Sequence, residues 1–497
     1  MLRVAAVALC MSAMWAQSLK IEGGVVDDQV VQRGPDGRAD LVLAGVTSGA
    51  ESQGVEARLL SRGIPQPELD WRRIATVQSG KWSGKLSHVS AGGPYRIEVR
   101  IAGTAASDRL SGILVGDIWL LAGQSDMEGR GYLTEAIPPL PAVHSFDMRD
   151  HWLVAEEPLH TRVDAKDRAY WFENELKQPE PFSGEKLREY LATRDRGTGL
   201  GLPFAVEMVR RTGVPIGLVP CALGGTNMDQ WSPALKDRGS DVLYGALLRR
   251  ARAVGGRVKG VLWSQGQSDA YPERSPAFAA KFTNFVAALR EDLAAPELPF
   301  YFVQIGRLVT DEDIGGHWNL IQESQRKAEQ TIAHSGMVAT VDESLIDLAH
   351  ADATSLKRLG VRLANVVCHD LFPEASECSR IEKGPRPVSA VFLDELPKSP
   401  LQYMPKSVRV TFASVNGRLQ AAGRMAGFSI HQGAGGPLPV IYLIEPDPTD
   451  RQALLIRLTG PLPKGAVLRY GYGLDPYCNI VDEANMPVPA FGPMEIR

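Results

Sequence analysis

Residues 116–127 read GDIWLLAGQSDM, and this stretch decides how the chain folds. Ile118 to Ala122 is an unbroken apolar run, the pattern of a strand covered on both faces. Gly123 and the polar turn Gln124-Ser125-Asp126 end it abruptly. A serine at the end of a central strand is held rigidly and faces the crevice above the sheet. A plain strand-to-loop serine would give the same pattern. The Gly-x-Ser-x-Gly elbow is absent, so that motif adds nothing here.

Downstream, strand-like runs alternate with helical periodicity. FAVEMVRR, VPIGLVP, VLYGALLRRARAV, VKGVLWSQG, AFAAKFTNFVAALREDL, LPFYFVQIG, IQESQRKAEQTIA, GMVATVDE and SLKRLGVRLANVV follow in order. That alternation implies a parallel sheet covered by helices, with its site at the carboxyl ends of the strands. Before and after it the pattern is short apolar runs broken by Gly, Pro, Asp and Ser, such as LVLAGV, YRIEVRIAG, SVRVTFA and ALLIRLTG; these read as β-rich. The expected division is a β-rich domain at 17–111, an α/β domain at 112–384 and a β-rich domain at 385–497. Residues 129–198 are polar and weakly patterned, either a wall of the pocket or a solvated insertion.

The 497 residues exceed one ordinary core. With 44% hydrophobic and 23% charged residues the composition is that of a soluble globular chain. The net charge is -4 and no Lys/Arg run stands out, so nothing points to nucleic acid or an anionic membrane. The opening MLRVAAVALCMSAMWAQS has one basic residue and a short apolar run. That pattern predicts a secretory signal over 1–16, a secreted or periplasmic protein, and no membrane insertion once the signal is removed. Cys10 would leave with it. Cys221, Cys368, Cys378 and Cys478 would remain, and export permits disulfides. Cys368 and Cys378 are the closest pair, but spacing does not establish a bridge. No Cys or His cluster has zinc-ligand spacing, so the sequence calls for no metal or cofactor.

A serine nucleophile needs a base. His350 lies in Asp347-Leu-Ala-His350, between GMVATVDE and a predicted helix, where a turn can aim both side chains at one spot. His317 and His334 are the next candidates. An acyl-transfer site also needs donors for the oxyanion. Gly224 and Gly225, in CALGGTNMDQW, follow one strand and can offer N–H groups, or simply form a turn. Gln265, in VLWSQGQSD, follows another strand and can offer an amide, or simply cap it. All three segments follow strands, so they can meet at one sheet edge.

With these blocks in view, the chain resembles the sialate O-acetylesterase and acetylxylan esterase group of the SGNH hydrolases. GDIWLLAGQSDME resembles its nucleophile block, usually GQSNM. VPIGLVPCALGGTNMDQW is similar to its glycine block, VLWSQGQSDA to its QGESD-type block, and DLAHADATSLKRLGVRLA, with Gly360 and Arg362, to its Asp-x-x-His block. GGPYRIEVRIAG and the ending YGYGLDPYCNIVDEANMPVPAFGP look like the flanks of its longer members. The resemblance implies a three-layer α/β/α, flavodoxin-like SGNH core flanked by β-rich, sandwich-like domains. It implies Ser125 as nucleophile, His350 as base and Asp347 as its partner. The oxyanion would be held by the N–H of Ser125, a glycine N–H (Gly225 or Gly224) and Gln265. Gln124, Asp126 and Asn227 are candidate substrate contacts, and Trp231 and Trp318 either stack on a sugar or pack in the core. The implied partner is an acetylated sugar.

The chain departs from the pattern in three places. Asp126 replaces the usual Asn, so its carboxyl must point away, be paired or be protonated. Gln267 replaces the usual Glu, and the two swaps are expected to compensate each other. Gln322 stands where relatives often carry Arg. Two rival readings follow: a carbohydrate-binding protein that has lost catalysis, and an SGNH esterase for a non-carbohydrate ester. Which sugar is involved and how many copies assemble are not written in the sequence.

Overall fold

A computed structural model describes residues 17–171, 181–394, 406–433 and 435–497; the expected leader, 1–16, lies outside them. The strand Ser107–Gly123 (β1) carries the transition predicted from its composition. Its opening residues alternate in exposure, as a strand with one wet face must. From Ile113 onward every residue is buried. Contacts divide the chain into two compact units between Val115 and Gly116, inside this strand, whereas the sequence pattern placed the change at 111/112.

The first unit is β-rich. Ser18–Gly24, Arg38–Ser48 and Lys81–Ser90 form one antiparallel sheet. Gly54–Ser61 pairs with Arg72–Thr76 and with Gly92–Ile101. Alternate residues such as Leu41, Leu43, Val55, Ala57, Leu59, Ile97 and Val99 turn inward to a shared core.

In the second unit five further strands join β1: Val143–Phe146 (β2), Ile216–Pro220 (β3), Gly260–Ser264 (β4), Phe300–Val303 (β5) and Ser335–Val338 (β6). All pair in parallel, in the order β2-β3-β1-β4-β5-β6. Trp152–Val154 adds an antiparallel edge beside β2, so the sheet is mixed. From β1 the chain runs out to β2, returns to β3, then crosses to β4. The order reverses at β1, and in α/β sheets such a reversal places the ligand crevice outside the carboxyl ends of the strands that flank it, here β3, β1 and β4.

The longer helices among the described residues are Gly201–Thr212 (α1), Leu243–Ala253 (α2), Phe278–Asp292 (α3), Gly315–Thr331 (α4) and Ala353–Leu371 (α5). Trp263 aligns with Ala122 and Gly260 with Trp119, so Trp119 and Trp263 stand on opposite faces. Trp119 meets Phe204 of α1 edge-on at 5.1 Å, and Trp263 packs on Phe285 of α3 at 4.6 Å. A Cβ on Gly360 of α5 would lie 2.7 Å from Leu200 O, so only glycine lets α5 approach α1 this closely. Among the described residues, Arg386 onward forms two four-stranded antiparallel sheets and a two-stranded one, around a core that includes Val341, just after β6. Gln304 ties this region to β5: its amide exchanges hydrogen bonds with Ala490 O at 2.8 Å and Ala490 N at 2.9 Å.

The weakly patterned stretch after Ser125 is anchored by buried charge. Arg250 of α2 is fully buried and donates to Phe146 O at 2.6 Å and Asp147 O at 2.9 Å. Arg249 reaches both Asp150 and Asp167 at 2.6 Å. Cys368 and Cys378 form a disulfide at the end of α5, while Cys221 and Cys478 are buried free thiols. Among the described residues no helix is long and apolar enough to cross a membrane.

Glu157, in the same stretch, accepts Gly199 N–H at 2.7 Å, and burial pushes its carboxyl from 4.5 up to about 7. A raised acid is penalised once ionised, so its contribution is most favourable below its unfolded value and is lost as pH rises through about 7. The shift corresponds to about 3 kcal/mol. Glu157→Gln keeps the acceptor and cannot ionise. In paired thermal melts it should unfold several degrees above the native chain near pH ~8, and the gap should close near pH ~5.

Candidate active site

Three strand ends meet at the crevice. Gly123, the last residue of β1, has φ +120°, and a Cβ there would stand 2.1 Å from Ser264 O. No side chain fits that approach. Gln124 N–H therefore donates to Ser264 O at 2.7 Å, and Leu223 N–H donates to Gly123 O at 3.0 Å. The chain then turns into a single helical turn, Ser125–Glu128, all of it buried. Ser125 is its first residue, so its N–H has no acceptor within the turn.

The glycine loop after β3 is fixed from below. Gly224 N–H donates to Glu128 Oε2 at 2.7 Å, and Arg130 pairs with the same oxygen at 3.4 Å. Gly225, exposed and at φ +73°, has no acceptor for its N–H among the described residues. Thr226 Oγ1 donates to Leu223 O at 2.8 Å and accepts Trp231 Nε1–H at 3.0 Å. Gln265, after β4, spends both amide hydrogens on Thr226 O at 3.1 Å and Asp269 Oδ2 at 2.6 Å. Two expected donors are thereby corrected. The N–H of Gly224 and the amide of Gln265 are engaged in holding loops together, and the N–H groups of Ser125 and Gly225 are left without an acceptor among the described residues.

The candidate base comes from the turn after β6. Ile346 N–H donates to His350 O at 2.8 Å, and Leu345 bridges Ala351. Inside this turn Asp347 Oδ1 accepts Ala349 N–H at 3.1 Å and His350 N–H at 3.0 Å. His350 Nδ1 lies 2.9 Å from Oδ1 and 3.0 Å from Oδ2, and Arg196 donates to Oδ2 at 2.9 Å. Burial would raise the Asp347 carboxyl, but these donors and the imidazole hold it well below the usual carboxylate range. With the Nδ1 proton assigned to the carboxylate, Nε2 is the nitrogen left to take a proton.

Asp126 joins the two segments. It follows Ser125, and its carboxyl faces the backbone N–H of Ala351, beside His350, which favours its charged form. The imidazole and Asp347 both act on its charge. Burial raises this carboxyl, and Asp347 adds to the rise against the pull of His350 and Arg130. Gln267 Nε2 lies 3.5 Å from Asp126 Oδ2, so the two departures from the family pattern are neighbours in space.

The remaining candidates divide. Gln124 is buried, with its Oε1 accepting Gly266 N–H at 3.3 Å. Asn227 closes its own turn, Oδ1 accepting the N–H of Asp229 and Gln230 at 3.0 Å and 3.2 Å. Of the two readings open for Trp231 and Trp318, both side chains take the one that packs them in the core. Trp231 is fully buried, 5.1 Å from Trp263, and Trp318 is 2% exposed with its Nε1–H on Gly306 O at 2.9 Å. Neither offers a face to a ligand. Gln322 is buried and donates to the carbonyls of Ile305 and Gly306 at 3.1 Å. His317 pairs with Ser275 at 2.8 Å. Glu128 and Arg196 were not anticipated. Neither carries a sequence signal, one sitting in an ordinary helical turn and the other in the polar insertion. Among the described residues no group of His, Cys, Asp and Glu could hold a metal ion.

Residues 115–369 match the model of a carbohydrate esterase family, sialic acid-specific acetylesterase. A protein of Arabidopsis thaliana named a probable carbohydrate esterase is 30% identical over 230 residues, covering 42% of this chain and 74% of that one. The crystal structure of a carbohydrate acetylesterase from Xanthomonas citri superposes with a TM-score of 0.62 at 22% identity, covering 95% of this chain and 99% of that one; at that identity the likeness speaks for the fold. The family match spans the sheet, the serine turn, the glycine loop and the Asp-x-x-His turn, and the chain belongs to the sialic acid-specific acetylesterase family of carbohydrate esterases.

Proposed function

We propose that the protein is an exported serine esterase that removes acetyl groups from sugars through an acetyl-enzyme on Ser125. One observation carries the reading: the imidazole–carboxylate pair sits in a turn whose Ala351 backbone and His350 ring face the carboxyl of Asp126, the residue after Ser125. The proposal includes a three-layer SGNH core, a leader over residues 1–16 and a sialate or other O-acetylated sugar as substrate.

In this mechanism His350 Nε2 takes the Ser125 proton as Oγ attacks the acetyl carbonyl. The oxyanion is held by the N–H groups of Ser125 and Gly225. The protonated imidazole returns its proton to the sugar oxygen, which leaves as the alcohol. Water, deprotonated by His350, then attacks the acetyl-enzyme and releases acetate. Asp347 steadies the imidazolium, and Arg196 fixes the far oxygen of that carboxylate. Glu128 acts indirectly, by setting the peptide that presents Gly225 N–H.

Ser125→Ala should cut acetate release from an acetylated sugar or aryl acetate by at least about 10⁴-fold; wild-type rates in that variant would refute the assignment. Asp347→Asn should lower kcat by about 10³- to 10⁴-fold with the fold intact by circular dichroism. Glu128→Ala, which releases Gly224 N–H, should lower kcat by about 10- to 100-fold with little change in KM. A change confined to KM would place Glu128 in substrate binding instead. Acetate release across a panel of acetylated sugars identifies the substrate.

A further inference from the structure

Two buried oxygens at the crevice lack a hydrogen between them. Asp126 Oδ1 and Gln267 Oε1 are both shielded from solvent and have no hydrogen-bond partner. They belong to side chains already in contact, since Gln267 Nε2 donates to Asp126 Oδ2 at 3.5 Å. Buried acceptors left unpaired are costly. A single proton on Asp126 removes both defects. A carboxylic acid and a primary amide can exchange two hydrogen bonds, N–H to one carboxyl oxygen and O–H back to the amide oxygen.

We infer that Asp126 works as a neutral acid paired face to face with Gln267, and that this pair is a positioning element registering His350 on Ser125. The inference rests on the serine esterase reading for its catalytic meaning and on the orphan oxygens for the proton. Asp126 is covalently next to Ser125, faces Ala351 N–H beside His350, and is braced from the loop after β4 by Gln267. It therefore links the serine turn, the His350 turn and the loop after β4 without being required to touch substrate.

Enclosure favours the neutral form, with help from Asp347 and against the pull of His350 and Arg130. His350 and Asp347 face it from the turn after β6, and Arg130 faces it from beyond its own helical turn. On that same turn the Glu128 carboxylate is already engaged by Gly224 N–H and Arg130. From the loop after β4 comes only the uncharged Gln267. An ionised Asp126 would give the imidazole a second carboxylate and place a negative charge beside the developing oxyanion. The burial that raises this carboxyl acts in the same direction. Its neutral form exists below its folded pKa and is lost above it, so the pair should break on the alkaline side.

The test combines infrared difference spectra with pH–rate profiles of the full chain. The native protein should show a protonated-carboxyl C=O band at neutral pH that Asp126→Asn lacks. Acetate release should fall with the loss of that band as pH rises, and Asp126→Asn should lack this alkaline fall. Asp126→Ala should lower kcat by about 10- to 100-fold at unchanged KM, and Asn, whose amide can replace the O–H donor with an N–H, should recover most of that loss. Absence of the band, an identical alkaline limb in Asp126→Asn, or equal impairment of the Asn and Ala variants would each overturn the inference. If Asp126→Ala does not fold, the spectra of the native protein and Asp126→Asn decide it. Failure of the esterase reading is separable: acetate release would then survive Ser125→Ala, while the band would still report the proton.

Discussion

At Gly123 the backbone of β1 passes so close to β4 that a Cβ would stand 2.1 Å from the Ser264 carbonyl. The contact converts three strand ends into one rigid edge. Gln124 N–H is locked to Ser264 O, and Leu223 N–H is locked to the Gly123 carbonyl. Ser125 follows immediately, on a helical turn with no exposed residue. The proposed nucleophile is placed by main-chain bonds between buried strands, the least deformable part of an α/β fold. Loops that would otherwise move independently are fastened to it.

Around that edge, three carboxyl groups meet three fates set by their surroundings. Asp347 gathers two backbone N–H groups, an imidazole and Arg196, and stays charged. Glu128 is spent on the peptide of Gly224 and on Arg130. Asp126 is enclosed with few donors and is pushed toward its neutral form. Residues of one chemical type are separated into an imidazole partner, a loop brace and a buried acid by local hydrogen bonding.

Much of the sheet was legible because buried parallel strands are written as unbroken apolar runs, and DIWLLA, VPIGLVP and VKGVLWS each end in a polar turn where the strand ends. The Asp347–His350 pairing was legible for a similar reason: a three-residue spacing closes in a tight turn. Hydrogen-bond competition was not. Gln265 and Gly224 have the right chemistry for an oxyanion site, yet Asp269, Thr226 and Glu128 reach their hydrogens first. Trp231 sits near the glycine block in sequence, but its ring turns into the aromatic layer with Trp263 and Phe285. Arg196 reaches Asp347 across the sequence from a stretch with no periodicity, and nothing local announces it.

The central claim is that this edge makes one serine nucleophilic and that the imidazole of residue 350 is what activates it. Peptide mapping after reaction with a fluorophosphonate tests it directly. The account predicts a single adduct, on the peptide containing Ser125, forming rapidly in the native protein and at least about 10²-fold more slowly when His350 is replaced by Ala. An adduct on a different serine, or labelling of Ser125 at the same rate without the imidazole, would contradict it.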